Sequence, residues 1–559
     1  MVANHFDDPQ ATPAPSAERT EVDQAENIDS AWKACAYGDF EKLREFVKSD
    51  PECVHKPDDQ GFSPLQWAAL NNRVSVANFL LERGASPNST DGTGQTALHW
   101  SAVRGALAVA EILLRAGARA DITDSRGYTV WHVAAQYGQT AVIYHLALKW
   151  NLDVGVTDND GRTPMHWAAY KGFADTIRLL LVLGASVSTV DKEGCTPLHW
   201  AAIRGQSEAA TVLLQGGSKC VLSVQDALGA TPAQLAFDRG HRYLGMHLLE
   251  QRQNQHRRGV CCKNRQLGKL VDLQLAPVIW ALIVGLLLVF VKKVVWAPTF
   301  ATVAVGMAFW SCMCVALATV GLFFLYKTTT ADPGFIPVGC ASDSRAQKGL
   351  GCGEDMEDLY RNLDSPVLWA GNWQQLCVTC KIVRPLRAKH CAVTDRCIEV
   401  FDHYCPWVGN AVGKGNRHYF LIFLWVELVA MVVSAIVAFV RLHQVMSMHH
   451  SHNPVNKTPP IGWVVGFLAV DIFVGISVAA LAVTQASQVF RNLTTNEMAN
   501  WYRYKYLRGD NGVFRNPFDR GCLLNCRDAC LPSLTPKAPV SLDDLEMQPC
   551  LGNERGFRS

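Results

Sequence analysis

Between Cys377 and Gly413 the chain reads CVTCKIVRPLRAKHCAVTDRCIEVFDHYCPWVGNAVG, a stretch dense in side chains that bind metals or attack carbonyl carbon. Cys377-x-x-Cys380 offers two thiolates at a spacing that lets them share one tetrahedral ion. His390 and Cys397 complete a set of three thiolates and one imidazole. Disulfide pairing and unligated thiols are the competing readings; a cytosolic loop disfavours the first and the His390-Cys391 step the second. The tetrad Asp402-His403-Tyr404-Cys405 follows, with a carboxylate, an imidazole and a thiol within four residues.

Apolar runs flank this stretch in pairs, near 273–291, 300–326, 418–441 and 461–490. Each is long enough to cross a hydrocarbon core of roughly 30 Å. Four crossings return the chain to its starting side. The loop after the second run carries Lys327, Arg345, Lys348, Arg361, Lys381, Arg384, Arg387 and Lys389, whereas the first hairpin has only Lys292 and Lys293. A further basic strip, Arg252, Arg257, Arg258, Lys263, Arg265 and Lys269, precedes the first run and holds Cys261-Cys262, read as ordinary thiols or acyl acceptors. This bias places both termini and the cysteine-rich loop in the cytosol. Glu427 and Asp471 lie inside runs and are expected to face the bundle interior, paired or lining a cavity. Met446, Met448, His449, His450 and His452 fall in the lumenal loop, where a solvated loop competes with a weak soft-metal site. Asn456-Lys457-Thr458 and Asn492-Leu493-Thr494 are glycosylation triplets on opposite sides, the first on the lumenal one.

Ahead of the runs, Gly61, Gly94, Gly127, Gly161, Gly194 and Gly229 recur every 33 to 35 residues. Variants of T-P-L-H-W-A-A follow them, as in Thr163-Pro164-Met165-His166-Trp167-Ala168-Ala169, and a second apolar run then ends in a glycine turn. Thr-Pro starts a helix with φ preset, and the paired alanines allow close helix approach. This is the ankyrin period and pattern, capped by a degenerate first unit at Ala31-Trp32-Lys33-Ala34-Cys35-Ala36. The repeated histidines are read as hydrogen-bonding groups between neighbouring repeats rather than metal ligands.

The stretch from Cys377 to Gly413, set between two span pairs behind an ankyrin array, resembles the cysteine-rich domain of the DHHC protein S-acyltransferases in its DHYC variant. Two outlying signatures agree: Asp332-Pro333-Gly334 beyond the second run and Thr494-Thr495-Asn496-Glu497 beyond the fourth. Each alone is weak, since D-P-G is a common turn and Thr494-x-x-Glu497 is also a capping box. Asn516 to Asn525 resembles the family's tail motif, in which an aromatic, here Phe518, and an asparagine, here Asn525, fasten the tail to the bundle. The resemblance implies two zinc ions, of which Cys377, Cys380, His390 and Cys397 match one full set. The other would use Cys391 with positions 394, 404 and 411, which here are Thr394, Tyr404 and Ala411, so one structural zinc is expected.

The resemblance also implies that Cys405 is the nucleophile, His403 the general base and Asp402 its orienting carboxylate, as thioester exchange requires. With three such groups in four residues, no regular helix or strand is expected to present them together, and the metal-tied loop must do so. Arg384, Arg387, Lys389 and Lys414 are candidates for the phosphates of the acyl donor, palmitoyl-CoA, with a solvated face or lipid headgroups as the competing reading. Trp407 in the C-P-W step is a candidate wall of the acyl opening. Cys522, Cys526 and Cys530 stand as free or acylated thiols.

The expected architecture is α-helical. A disordered segment at 1–28 precedes ankyrin repeats at 29–253, a basic linker at 254–272 and two spans at 273–327. The cysteine-rich domain at 328–417, two more spans at 418–490 and a tail at 491–559 complete it. A net charge of +2 gives no electrostatic case for nucleic acid. Nineteen cysteines without a secretory leader read as thiols and ligands rather than a disulfide scaffold. The expected partners are membrane lipids and proteins with cytosolic cysteines recruited by the repeats, and the family implies an endomembrane, Golgi above others. An inactive membrane-tethered ankyrin scaffold is the serious rival. A cation channel leaves the cysteine-rich stretch unexplained and lacks a pore loop.

Overall fold

The computed structural model describes residues 28–150, 154–216, 219–263, 275–295, 305–337, 363–450, 461–509 and 511–531. The segment expected to be disordered, the triplet at Asn456, His452 and the side chains of Arg257, Arg258 and Cys261-Cys262 lie outside these residues. Two compact units are present, divided after Gln255.

Among the described residues the first unit is a stack of seven helix pairs, from the helix Ala31–Tyr37 to the N-terminal part of the helix Arg242–Lys263. Its repeat chemistry is local and recurrent. Thr96, Thr129, Thr163 and Thr196 cap their helices together with the histidine three residues on. The other ring nitrogen of that histidine reaches the next repeat: His99 meets the Tyr128 carbonyl at 3.0 Å, His132 that of Arg162 at 3.0 Å and His166 that of Cys195 at 3.1 Å. Burial pushes these imidazoles down, His132 and His166 to about 4, so they stay neutral. The repeat tryptophans are fixed the same way, Trp100 Nε1 donating to Asp91 at 2.8 Å and Trp200 to Asp191 at 2.9 Å.

Among its described residues the second unit has four helices long and apolar enough to cross a membrane, Ala276–Val295, Gly306–Thr330, Arg417–Ser447 and Ile461–Phe490. The first three extend past the C-terminal ends read from the sequence, to Val295, Thr330 and Ser447, and the fourth keeps its bounds. Glu427 and Asp471 turn inward, 9% and 3% exposed, and Ser434 Oγ donates to Asp471 at 2.8 Å. Among the described residues between the second and third spans lie three two-stranded hairpins: β1 (Leu376–Cys377) with β2 (Ile382–Val383), β3 (Lys389–Cys391) with β4 (Arg396–Ile398), and β5 (His403–Cys405) with β6 (Asn410–Val412). Side chains alternate along a strand. That alternation decides how the tetrad is used.

Candidate active site

The first two hairpins bring Cys377, Cys380, His390 and Cys397 together, with their ligand atoms within 4.8 Å of one another. His390 Nδ1 lies 3.7, 3.3 and 3.9 Å from the three sulfurs in chain order. A tetrahedral zinc with ordinary bond lengths sets sulfur and nitrogen about 3.6 Å apart, so the donor set fits that ion. His390 Nε2 faces Asp395 at 3.4 Å, the outer carboxylate that orients a ligating imidazole.

The positions of a second set tell the opposite story. Tyr404 pairs across the hairpin with Ala411. Cys391 and Ala411 are buried with Ile398 and Phe401, and Tyr404 and Phe335 pack against them. Thr394 keeps a buried hydroxyl without a hydrogen-bond partner. A small apolar core thus occupies the place where one thiolate would be the sole strong ligand, and these residues do not fit a metal.

Strand β5 corrects one expectation. His403 and Cys405, two residues apart, share a face of an ordinary strand, while Tyr404 points to the other and joins the apolar cluster. Cys405 belongs to a buried cluster with Val412, Phe420, Phe423 and residues of the first, second and fourth spans. The His403 ring stands edge-on to Phe420, 5.7 Å between centroids. Asp402 precedes the strand, 1% exposed, with Oδ2 3.6 Å from His403 Nδ1. That is an ion-pair contact, longer than a hydrogen bond, of the kind that tightens when substrate arrives. Burial opposes charge on His403, but Asp402 and the Cys405 sulfur outweigh it and push the imidazole up to about 9. Burial likewise opposes charge on Asp402, yet Arg417 and His403 hold its carboxyl at about 2.

The flanking signatures converge on this hairpin. Asp332 accepts from the amides of Gly334 and Phe335, both at 2.8 Å, and closes a turn whose carbonyls at Pro333 and Gly334 receive Gly415 and Glu399. A Cβ on Gly413 would stand 2.5 Å from the Pro333 carbonyl, so this close approach requires glycine. Thr494 and Glu497 do form a reciprocal cap. The helix they start, Thr495–Asn500, sets the Thr495 amide on the Asp402 carboxylate and the Asn496 amide on its carbonyl, the latter at 3.1 Å. Asn525 Nδ2 donates to the Phe490 carbonyl at 2.8 Å, and Phe518 packs with Leu493 and Leu507.

The basic candidates make contacts the sequence does not reveal. The Arg387 side chain, 6% exposed, is bidentate to Glu497 at 2.7 and 2.8 Å, bonded to Asn492 and 4.4 Å from the Phe518 ring centroid. It is a latch between the cysteine-rich domain and the fourth span's exit, not a group turned toward a phosphate. Arg384 binds the Gln374 and Gln375 carbonyls, Lys389 reaches Asn496 at 2.7 Å, and Lys414 pairs with Glu399 at 2.9 Å. Burial, then the neighbouring Arg384 and Arg503, pull the Lys389 ammonium down. Lys389, Arg384 and Arg503 thus lie within electrostatic reach of one another.

Three supporting residues were not singled out from the sequence. Asn410 Nδ2 reaches the carbonyls of Thr328, Thr329 and Ala331, at 3.1, 3.1 and 3.0 Å, at the end of the second span. Asn416, fully buried, closes the loop onto Ala411 at 2.8 Å, and Arg417 joins Asp402 to the Leu493 carbonyl. Their one sequence signal is a run of hydrogen-bonding side chains abutting an apolar helix.

Cys405 and Trp407 stand at one end of a cavity of about 470 Å³ that continues among the four spans to Ser434, Phe467 and Asp471. Trp407 is 48% exposed.

Comparison with known proteins agrees with this geometry. The family described as DHHC palmitoyltransferase matches residues 371–502, and ankyrin repeats match 16–91, 83–154 and 131–226. The chain is 38% identical to "Probable protein S-acyltransferase 23" of Arabidopsis thaliana over 93% of this chain and 96% of that one. It is 29% identical to "Palmitoyltransferase ZDHHC17" of Danio rerio over 89% of this chain and 87% of that one. Among solved structures, the human ASB11 ankyrin repeat domain covers 40% of this chain and 96% of its own, at 26% identity and a TM-score of 0.36. With its metal-ligand knuckle, tetrad hairpin and span bundle carried behind ankyrin repeats, the chain belongs to the DHHC palmitoyltransferases, a family of protein S-acyltransferases.

Proposed function

We propose that the chain moves a fatty acyl group, palmitoyl in the first instance, from acyl-CoA to cysteine thiols of other proteins through a thioester on Cys405. The observation that carries this reading is the placement of Cys405 beside His403 at the mouth of a largely apolar cavity. Phe420 and Ser434, both lining it, are 14 residues apart on one helix, roughly 21 Å at 1.5 Å per residue. An extended chain advances about 1.2 Å per bond, so a sixteen-carbon acyl group spans roughly 18 Å and fits that depth. Its fifteen or so methylenes carry on the order of 12 kcal/mol of transfer free energy, which a wet site would forfeit.

In the first step the Cys405 thiolate attacks the thioester carbonyl and the carbon–sulfur bond to CoA breaks. The departing CoA thiolate takes a proton from the His403 imidazolium. In the second step the neutral His403 accepts the proton of the incoming protein thiol, whose sulfur displaces Cys405 as thiolate. Asp402 keeps the imidazole oriented and favours its charged form. The field around Lys389, Arg384 and Arg503 favours the CoA phosphates nearby. A zinc ion bound by Cys377, Cys380, His390 and Cys397 would supply a structural cross-link and no chemistry.

The basic flanks support a cytosolic knuckle and termini, and the protein-interaction character of ankyrin repeats supports recruitment of substrate proteins by the solenoid. Removing the repeats is expected to leave self-acylation intact and to lower transfer to selected proteins; unchanged transfer sinks that role. The inactive-scaffold reading draws on the missing second metal set, but the apolar core at Tyr404 and Ala411 leaves the catalytic face of β5 undisturbed. Purified protein incubated with clickable palmitoyl-CoA tests the proposal. A hydroxylamine-sensitive label that disappears in Cys405→Ser is expected, and its absence from the wild type overturns the relay.

A further inference from the structure

Beyond the fourth span, the nine-residue helix Cys522–Cys530 carries thiols at its first, fifth and ninth positions. Residues four apart lie one above another on a helix, so Cys522, Cys526 and Cys530 form one stripe. Cys522 and Cys530 are exposed and Cys526 half-buried, and Leu523 beside them is 86% exposed. Asn525, 1% exposed on another side of the helix, is tied to the carbonyl of Phe490, the last residue of the fourth span. The stripe is therefore pinned at the membrane edge rather than carried on a loose tail.

It also lies on the same side of the membrane as Cys405. The amides of Thr495 and Asn496, just past Phe490, sit on Asp402 of the tetrad. One shared ion does not explain the stripe. Eight residues of helix separate its ends by about 12 Å, and among the described residues the potential metal clusters do not include these cysteines.

We propose that Cys522, Cys526 and Cys530 are acyl-acceptor sites of this chain, loaded from the thioester on Cys405; the proposal rests on the relay above. An acceptor thiolate attacks the acyl carbonyl on Cys405, a new carbon–sulfur bond forms and the bond to the Cys405 sulfur breaks. Cys405 leaves as thiolate, and the acceptor's proton passes to His403, so one thioester replaces another without oxidant or further reactant. A single acyl chain binds a membrane marginally and two bind it firmly, so loading this stripe fixes the tail helix on the bilayer.

The test uses the full-length purified protein in detergent, clickable palmitoyl-CoA and peptide mapping of the label. Wild type should carry label on the Cys405 peptide and on the 521–531 segment. Cys405→Ser should lose both to background, and the triple change Cys522→Ser, Cys526→Ser, Cys530→Ser should keep the Cys405 label at its original rate. Label on Cys405 alone overturns this proposal and leaves the relay standing. Tail label that persists in Cys405→Ser overturns it too, by showing direct acylation from acyl-CoA. No label on Cys405 in the wild type overturns the relay and this proposal together.

Discussion

Replacing Arg387 by alanine separates the phosphate contact offered by the sequence from the latch found in the structure. As a phosphate ligand, Arg387 would contribute to donor binding and little else. In the structure its guanidinium pairs with Glu497 from a side chain 6% exposed to one 1% exposed, and also holds Asn492 and the Phe518 ring. Removing one partner of a buried pair leaves the other charge uncompensated and costs about 3–5 kcal/mol. For a unit of this size that lowers the unfolding midpoint by on the order of 10 °C. The helix begun by Thr494 and Glu497 should loosen with it. Thr495 then leaves Asp402, and acyl-enzyme formation slows at saturating donor. Joint replacement by Arg387→Met and Glu497→Gln, which removes both charges and keeps an oxygen to accept from the Thr494 amide, should restore part of the stability. The assays are thermal unfolding in detergent and the rate of labelling across acyl-CoA concentrations. An Arg387→Ala protein with an unchanged midpoint and only a raised KM for acyl-CoA would refute the latch.

Three further outcomes follow from the same geometry. Metal analysis should give about one zinc per chain, unchanged in Cys391→Ser and lost in Cys377→Ser; a ratio near two contradicts the apolar core at Tyr404 and Ala411. His403 is raised to about 9 when folded, against about 6.5 unfolded, so its stabilisation is complete below about pH 6.5 and lost as pH rises through about 9. Asp402, lowered to about 2, stabilises above about pH 4 and ceases to as pH falls through about 2, so the two together favour the range between. The midpoint difference between wild type and His403→Gln should therefore vanish in strong alkali, and a difference that persists there rejects the ion pair. Ala430→Phe, which fills the cavity ten residues past Phe420, should shift donor preference toward chains shorter than sixteen carbons; an unaltered preference means the chain lies elsewhere.

What was legible in the sequence is what local chemistry determines. The solenoid's phase follows from glycine turns and Thr-Pro helix starts, each set within a few residues. The knuckle ligands were readable because metal geometry fixes their spacing. Glu427 and Asp471 were readable as inward-facing because lipid does not tolerate them. The fate of the basic residues was not, since the partners of Arg387 and Lys389 lie more than 100 residues away. Nor was the tetrad's presentation, because a three-residue strand carries too little pattern to announce its alternation. Asn410, Asn416 and Arg417 escaped for a related reason: apart from Asp402, the partners named for them are backbone carbonyls of other elements, which residue types do not reveal.

Rapid mixing of the enzyme with palmitoyl-CoA, with no acceptor protein added, tests the covalent relay most directly. In a chain whose Cys522, Cys526 and Cys530 are replaced by serine, the account predicts a burst of free CoA approaching one equivalent per active chain, matched in time by thioester on Cys405 and reached before any acceptor is supplied. CoA release that waits for the acceptor, or a burst that survives Cys405→Ser, would contradict it.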